Sequence, residues 1–203
     1  MNDVLRNEPL ETTGPNLDPA NLFYQVLGEQ YLDVAFAAAH AADPAAKLFL
    51  NETFAELQNA KFSGLVSLVE SMVARGVPID GVGLQGHFFL STGSLELLRS
   101  RLQRITDLGL TVEFTEVDIP MPLFASRPDP AAAQGEAYAD VFAACAAVPG
   151  CTGVTVWGID DADTWLDSFS LTAANAPNEP LLFDASLQRK PAYHAAAAAL
   201  ACR

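Results

Sequence analysis

The 203-residue sequence predicts an α/β fold: a parallel sheet covered by helices and laid out as part of a (β/α)8 TIM barrel. Three observations lead there. Short apolar runs alternate with longer amphipathic segments at roughly 30 residues per unit, the spacing of βα repeats. Polar residues gather at the C-terminal ends of successive strand candidates, the face on which such a barrel keeps its active site. No G-x-G-x-x-G or P-loop follows the first strand, which disfavours the competing open, doubly wound sheet. A complete barrel needs about 250 residues, so the chain reads as a barrel without its front.

The elements run in order along the chain. Residues 3–7 (DVLRN) form a short first strand, and residues 19–43 (PANLFYQVLGEQYLDVAFAAAHAAD) one long helix. KLFLN (47–51) is the second strand. Residues 62–76 carry apolar side chains at helical spacing until Gly76 stops them. IDGVGLQGH (79–87) is a glycine-rich third strand. Residues 91–109 form an amphipathic helix with Ser94 or Thr92 as N-cap and Gly109 as its stop. LTVEFTEVDI (110–119) is a fourth strand, 129–148 a helix, and GVTVWGI (153–159) a fifth strand. A last helix spans 190–201, with Pro191 in its first turn.

Composition narrows the function classes. Half of the residues are apolar and 18% are charged, a globular balance. A net charge of -14 argues against nucleic acid, which selects basic surfaces, and reads as a solvated acidic exterior. No run of 18 apolar residues exists, so no membrane span is expected. The opening MNDVLRNEPLETTG lacks the pattern of a secretory signal peptide. No cofactor fingerprint occurs. His40, His87 and His194 do not cluster with cysteine, and the Asp160, Asp161, Asp163 loop lacks the register of a calcium loop, so no metal is expected. Cys145 and Cys151 flank a Pro149-Gly150 turn, and they read either as a small disulfide loop of an oxidising compartment or as two buried thiols.

The chemistry-bearing residues sit at strand ends: Asn51 on the second, Gln85 and His87 on the third, Glu116 and Asp118 on the fourth, Trp157 on the fifth. Burying so many polar groups unpaired would cost several kcal/mol, so together they point to a functional cluster. Strand alternation turns Glu113 away from Glu116, toward a helix. A second acid comes from Asn7-Glu8 at the end of the first strand, 108 positions before Glu116 and so on a separate strand of the same face. Two carboxylates flanking one bond are the minimum for glycoside hydrolysis: one attacks, the other protonates the leaving oxygen. Glu52 reads as a loop acid. Trp157 and Trp165 offer indole faces that stack on sugar rings. The sequon Asn51-Glu52-Thr53 reads as a chance match, because a strand end facing the site leaves no room for a glycan.

From Asn21 onward, LFYQVLGEQYLDVAFAAAHAADP, GVGLQGHF, VEFTEVDIP, GVTVWGIDDADTW and PLLFDASLQRKPAYHA occur in one order. With these motifs the chain resembles glycoside hydrolase family 10, the endo-β-1,4-xylanases, from barrel strand four onward. The resemblance implies one catalytic domain portion over residues 1–203, xylan or xylo-oligosaccharides as substrate, no cofactor, and an extracellular setting. By resemblance Glu116 is the nucleophile and Glu8 the acid/base. His87 and Asp118 orient Glu116, and Asn7 contacts the sugar 2-hydroxyl. Gln85 lies beside the acid/base, Trp157 and Trp165 wall the cleft, and Cys145 pairs with Cys151. An inactive fragment or weak carbohydrate-binding remnant, and a related barrel β-glucanase, are the alternatives.

The chain also departs from the family. The family's Trp-Asp-Val-Val-Asn-Glu strand is one residue longer here, from Asn2 to Glu8, and lacks the Trp. An extra strand residue reverses the faces of those beyond it. The family's NDYN reads NETF at Asn51 to Phe54, which removes a tyrosine. Strands one to three, which carry sugar-gripping residues in the family, are absent. The open sheet this leaves is expected to self-associate or to require its front half.

Overall fold

The computed structural model describes residues 2–168 and 177–201. Five parallel strands make one sheet: β1 (Asn2–Asn7), β2 (Lys47–Glu52), β3 (Gly81–Leu84), β4 (Thr111–Val117) and β5 (Cys151–Val156). Their spatial order is their chain order, β1-β2-β3-β4-β5. A doubly wound sheet reverses direction at a switch point, and this one does not, so it is an arc of a barrel.

Helices connect the strands: α1 (Leu22–Leu27) and α2 (Gln30–Ala42), then α3 (Asn59–Ala74), α4 (Leu95–Thr106) and α5 (Pro130–Ala147), with α6 (Pro191–Ala201) last. The single long helix expected over 19–43 is two. Asn21 caps α1 by accepting from the Phe23 and Tyr24 N–H groups, and Gly28 ends it in a left-handed turn at φ 62°. The hydrophobic pattern runs through the break, which hid it. Ser94, not Thr92, caps α4 by accepting from Leu97 N–H. The third strand is shorter than expected, because Gly86 turns the chain at φ 79°; His87 then rejoins through a single bridge to Asp118.

One face of the sheet packs on the helices. Leu48, Leu50, Val82, Leu84, Val112 and Phe114 bury against Phe36, Leu65, Val69, Leu98, Leu102, Tyr138 and Val141. Each such side chain contributes about 2 kcal/mol by leaving water. The other face is the barrel interior and carries Phe49, Asn51 and Thr115. A Cβ on Gly81 would lie 2.4 Å from the Phe49 ring, and one on Gly83 2.3 Å from Asn51 Oδ1, so the glycines of β3 make the room these side chains occupy.

Two of the strand irregularities shape the inner face of the sheet. In β1, Val4 pairs with Phe49 but Arg6 with Leu50, so the extra residue is taken up as a bulge before Asn7 pairs with Asn51. The reversal of faces expected from the longer strand therefore does not reach Asn7. In β4, Phe114 pairs with Val154 and Val117 with Val156, three steps against two. The bulge lets consecutive residues Thr115 and Glu116 both face inward, where each bonds Asn51. It also corrects the expected aim of Glu113, which alternates onto the interior face with Thr115 and accepts from Thr152 Oγ1 on β5 at 2.6 Å.

Cys145 at the end of α5 and Cys151 at the start of β5 form a disulfide, which decides between the two readings of that loop. Among the described residues no helix is long and apolar enough to cross a membrane.

Candidate active site

The site forms where the C-terminal ends of the strands meet. Asn51, only 1% exposed, is its bridge. Its Nδ2 donates to Asn7 Oδ1 at 2.8 Å and to Glu116 Oε1 at 2.7 Å, and its Oδ1 accepts from Thr115 Oγ1 at 2.7 Å. With its amide so engaged and buried, Asn51 is no glycan acceptor, as its strand-end position suggested.

Glu8 stands just beyond β1. Its backbone is left-handed at φ 51°, which costs a non-glycine residue about 1 kcal/mol. Its N–H donates to Asn51 O at 2.8 Å. Its Oε1 accepts from Gln85 Nε2 at 2.9 Å and from Asn7 Nδ2 at 3.2 Å. The same Gln85 nitrogen reaches Asn7 Oδ1 at 3.1 Å.

Glu116 receives a second donor, His87 Nε2, at 3.2 Å from its Oε2. The other ring nitrogen of His87 lies 3.0 Å from Asp118 Oδ1, and Trp165 Nε1 donates to Asp118 Oδ2 at 2.8 Å. Burial alone would depress the His87 imidazole. Its hydrogen bonds to Asp118 and Glu116, and their charges, outweigh that and raise it to about 9. At neutral pH His87 is thus a cation that donates from both nitrogens, one to each carboxylate.

The aromatic residues enclose this cation. Phe89 stacks on His87 with ring centroids 5.6 Å apart, and Trp165 meets it edge-on at 5.0 Å. Trp157 approaches at 6.3 Å and remains 46% exposed, an indole face open to solvent. Phe54, also left-handed at φ 57°, sets its ring against Phe89 at 5.8 Å.

The cleft so formed has a volume of about 390 Å³ and is lined by Glu8, Glu116, Gln85 and His87 with Trp157, Trp165, Phe54, Phe89, Thr12 and Thr53. A second hollow of about 310 Å³, bounded by Asn7, Asn51, Thr115, Glu116 and Trp157, shares the Glu116 and Trp157 walls. A larger cavity of about 660 Å³ beside α3 gathers none of these groups.

Glu8, Gln85, His87, Glu116, Trp157 and Trp165 line the same cleft, Asn7 borders the adjoining hollow with Glu116, and Asp118 lies fully buried behind His87 and Trp165. Glu52 does not fit its reading as a loop acid. It is the last residue of β2, fully buried, and paired with Lys61 at 2.9 Å. Sequence reasoning gave Asn51 no binding partner; its place at a strand end was the available signal. Thr115, Phe54, Phe89 and Glu56 were not singled out. Glu56 is fully buried, its carboxyl oxygens make no full hydrogen bond among the described residues, and burial, only partly offset by the nearby Glu56 and Gly86 backbone and by His87, pushes it up to about 7. Two acids of the 160–163 loop have internal duties: Asp160 accepts from Ala162 N–H, and Asp161 binds Lys190 and Leu181 N–H.

Chemically, the site offers a carboxylate held by two donors, a second carboxyl on a neighbouring wall, and two indoles lining the same cleft. Known proteins share this arrangement of chain. The family model for glycosyl hydrolase family 10 matches residues 2–199. Endo-1,4-beta-xylanase A of Phanerodontia chrysosporium is 40% identical over 191 residues, covering 92% of this chain and 44% of that protein. Endo-1,4-beta-xylanase 1 of Humicola insolens is 37% identical, with 89% and 42% covered. Among solved structures, native xylanase 10B from Thermotoga maritima superposes with a TM-score of 0.87 at 30% identity, over 98% of this chain and 59% of that one. Xylanase 10B from Thermotoga petrophila, in complex with xylobiose, also has a TM-score of 0.87, at 28% identity over 98% and 59%. The chain spans about half the length of the relatives it matches. From its match over nearly its whole length to the family model, the chain belongs to glycosyl hydrolase family 10.

Proposed function

We propose that this site hydrolyses internal β-1,4-xylosidic bonds with retention of configuration. The observation that carries the reading is the unbroken hydrogen-bonded path from Glu8 through Asn7 and Asn51 to Glu116. It couples two carboxyl groups on different strands across one cleft. Glu116 attacks the anomeric carbon and forms a glycosyl ester while Glu8 gives its proton to the departing oxygen. Glu8 then takes a proton from water, whose oxygen displaces Glu116 and completes the cycle. His87, held by Asp118, keeps Glu116 aimed. Asn7, bonded to Glu8 and to Asn51, is read as the contact to the sugar 2-hydroxyl, and Gln85 supports Glu8. Trp157 and Trp165 stack on the ring.

The names of the relatives and the xylobiose complex support xylan or xylo-oligosaccharides as ligand. Residues 1–203 are read as one portion of a catalytic domain, and the disulfide favours an extracellular setting. Among the described residues β1 and β5 have one strand neighbour each, and such edges recruit further strands. Pairing of these edges with a second copy of the chain follows from this; a monomeric mass by light scattering would argue against it.

The experiment is release of the aryl group from an aryl β-xylobioside by wild type beside Glu116→Ala and Glu8→Ala. Release by wild type that is lost in Glu116→Ala supports the reading. The exposed indole of Trp157 supports one second reading, weak carbohydrate binding without turnover, which predicts no release above the Glu116→Ala background but retained binding of xylo-oligosaccharides.

A further inference from the structure

Glu52 and Lys61 form an ion pair from which solvent is fully excluded, Nζ to Oε1 2.9 Å. Burying two charges is costly, and apolar residues of equal volume in such a place are often as stable or more so. Stability alone therefore does not explain the pair. Burial in fact pushes the Glu52 carboxyl upward despite the ammonium beside it.

The hydrogen bonds of the pair explain it better. Glu52 Oε2 accepts from Leu10 N–H at 3.0 Å, and Oε1 accepts from Thr53 N–H at 3.0 Å. Lys61 Nζ donates to Thr12 O at 3.2 Å. Leu10 and Thr12 closely follow Glu8, and the Glu8 N–H itself is held by Asn51 O, next to Glu52. The segment from Glu8 to Thr12 is thus fastened to the end of β2 and to α3 at three points. An exposed glutamate does not keep a left-handed backbone unaided. Asn7 and Gln85 hold the carboxyl tip, but the direction from which it arrives is set by the backbone.

We infer that Glu52 and Lys61 are positioning residues: as a pair they lock the segment that aims Glu8, and so set its proton transfer to the leaving oxygen. The inference rests on the reading of Glu8 as the acid/base.

The test uses Glu52→Met/Lys61→Met, which removes both charges at similar volume, and Glu52→Gln as a second variant. Amide exchange at Glu8 and Leu10 is measured against Leu50 and Val112 in the core. The expected result is exchange at Glu8 and Leu10 about tenfold faster with the core unchanged. Unchanged exchange overturns the inference, and so does loss of core protection in both variants, which would make the pair purely structural. Hydrolysis is then compared for phenyl β-xylobioside, whose leaving group needs a proton, and the 2,4-dinitrophenyl analogue, which does not. The phenyl substrate is expected to lose about 100-fold in kcat/KM and the activated one less than about threefold. Equal losses on both would overturn it. A wild type inactive on both would sink the hydrolase reading instead, and exchange at Glu8 and Leu10 would still decide whether the pair holds that segment.

Discussion

Asn51 Nδ2 touches Asn7 Oδ1 at 2.8 Å and Glu116 Oε1 at 2.7 Å, so one buried side-chain amide ties the strand that presents Glu8 to the strand that presents Glu116. Both hydrogens of the amide are spent. A carboxylate at this position would face two acceptors with no proton to give. Asn51→Asp is therefore expected to lower kcat/KM by about 10- to 100-fold, the worth of a hydrogen bond to a charged group. Asn51→Asp activity equal to wild type would mean that Glu116 is aimed by His87 alone.

Glu56 is a buried acid near the site whose desolvation raises it to near neutrality. Its folded value is about 7, against 4.5 in water. The sign comes from linkage: a carboxyl raised by folding contributes stability that is present below pH 4.5 and lost as pH rises through 7. The loss is expected to be roughly 3 kcal/mol. Glu56→Gln should remove this decline, so urea midpoints of variant and wild type should converge at low pH and separate in favour of the variant by neutrality. Parallel curves across that range would contradict it.

His87 works in the next window. Its value is raised from 6.5 to about 9, so its contribution is full below pH 6.5 and lost as pH rises through 9. Again the expected size is roughly 3 kcal/mol. In His87→Gln this segment of the pH dependence should be flat. A wild type whose urea midpoint does not fall between neutrality and pH 9 would show that the imidazolium does not hold its two carboxylates.

The disulfide should act on stability and not on the cleft. Cys145 and Cys151 close a short loop at the far end of β5 from Trp157. Closing so short a loop is expected to contribute about 2 kcal/mol. Cys145→Ser/Cys151→Ser should lower the denaturation midpoint accordingly while leaving ligand affinity intact. A variant that loses xylo-oligosaccharide binding with its fold retained would argue otherwise.

Much of this molecule was legible residue by residue. The alternation of apolar runs, the polar strand ends, the serine cap before α4 and the Gly109 stop are local signals, each written at the position where it acts. The fold class came from them, and with motif resemblance they put forward Asn7, Glu8, Gln85, His87, Glu116, Asp118, Trp157 and Trp165 as site candidates. What escaped depended on pairing between distant segments. The bulge in β1 restores Asn7 to its register with Asn51, and the bulge in β4 brings Glu113 and Glu116 to the same face; neither can be read from one strand without its neighbour. Glu52 looked like a loop acid because nothing in the sequence places Lys61 beside it or water away from it. Residue type and spacing determined which groups this chain possesses. Strand register and burial, which are properties of several segments at once, decided which of those groups meet.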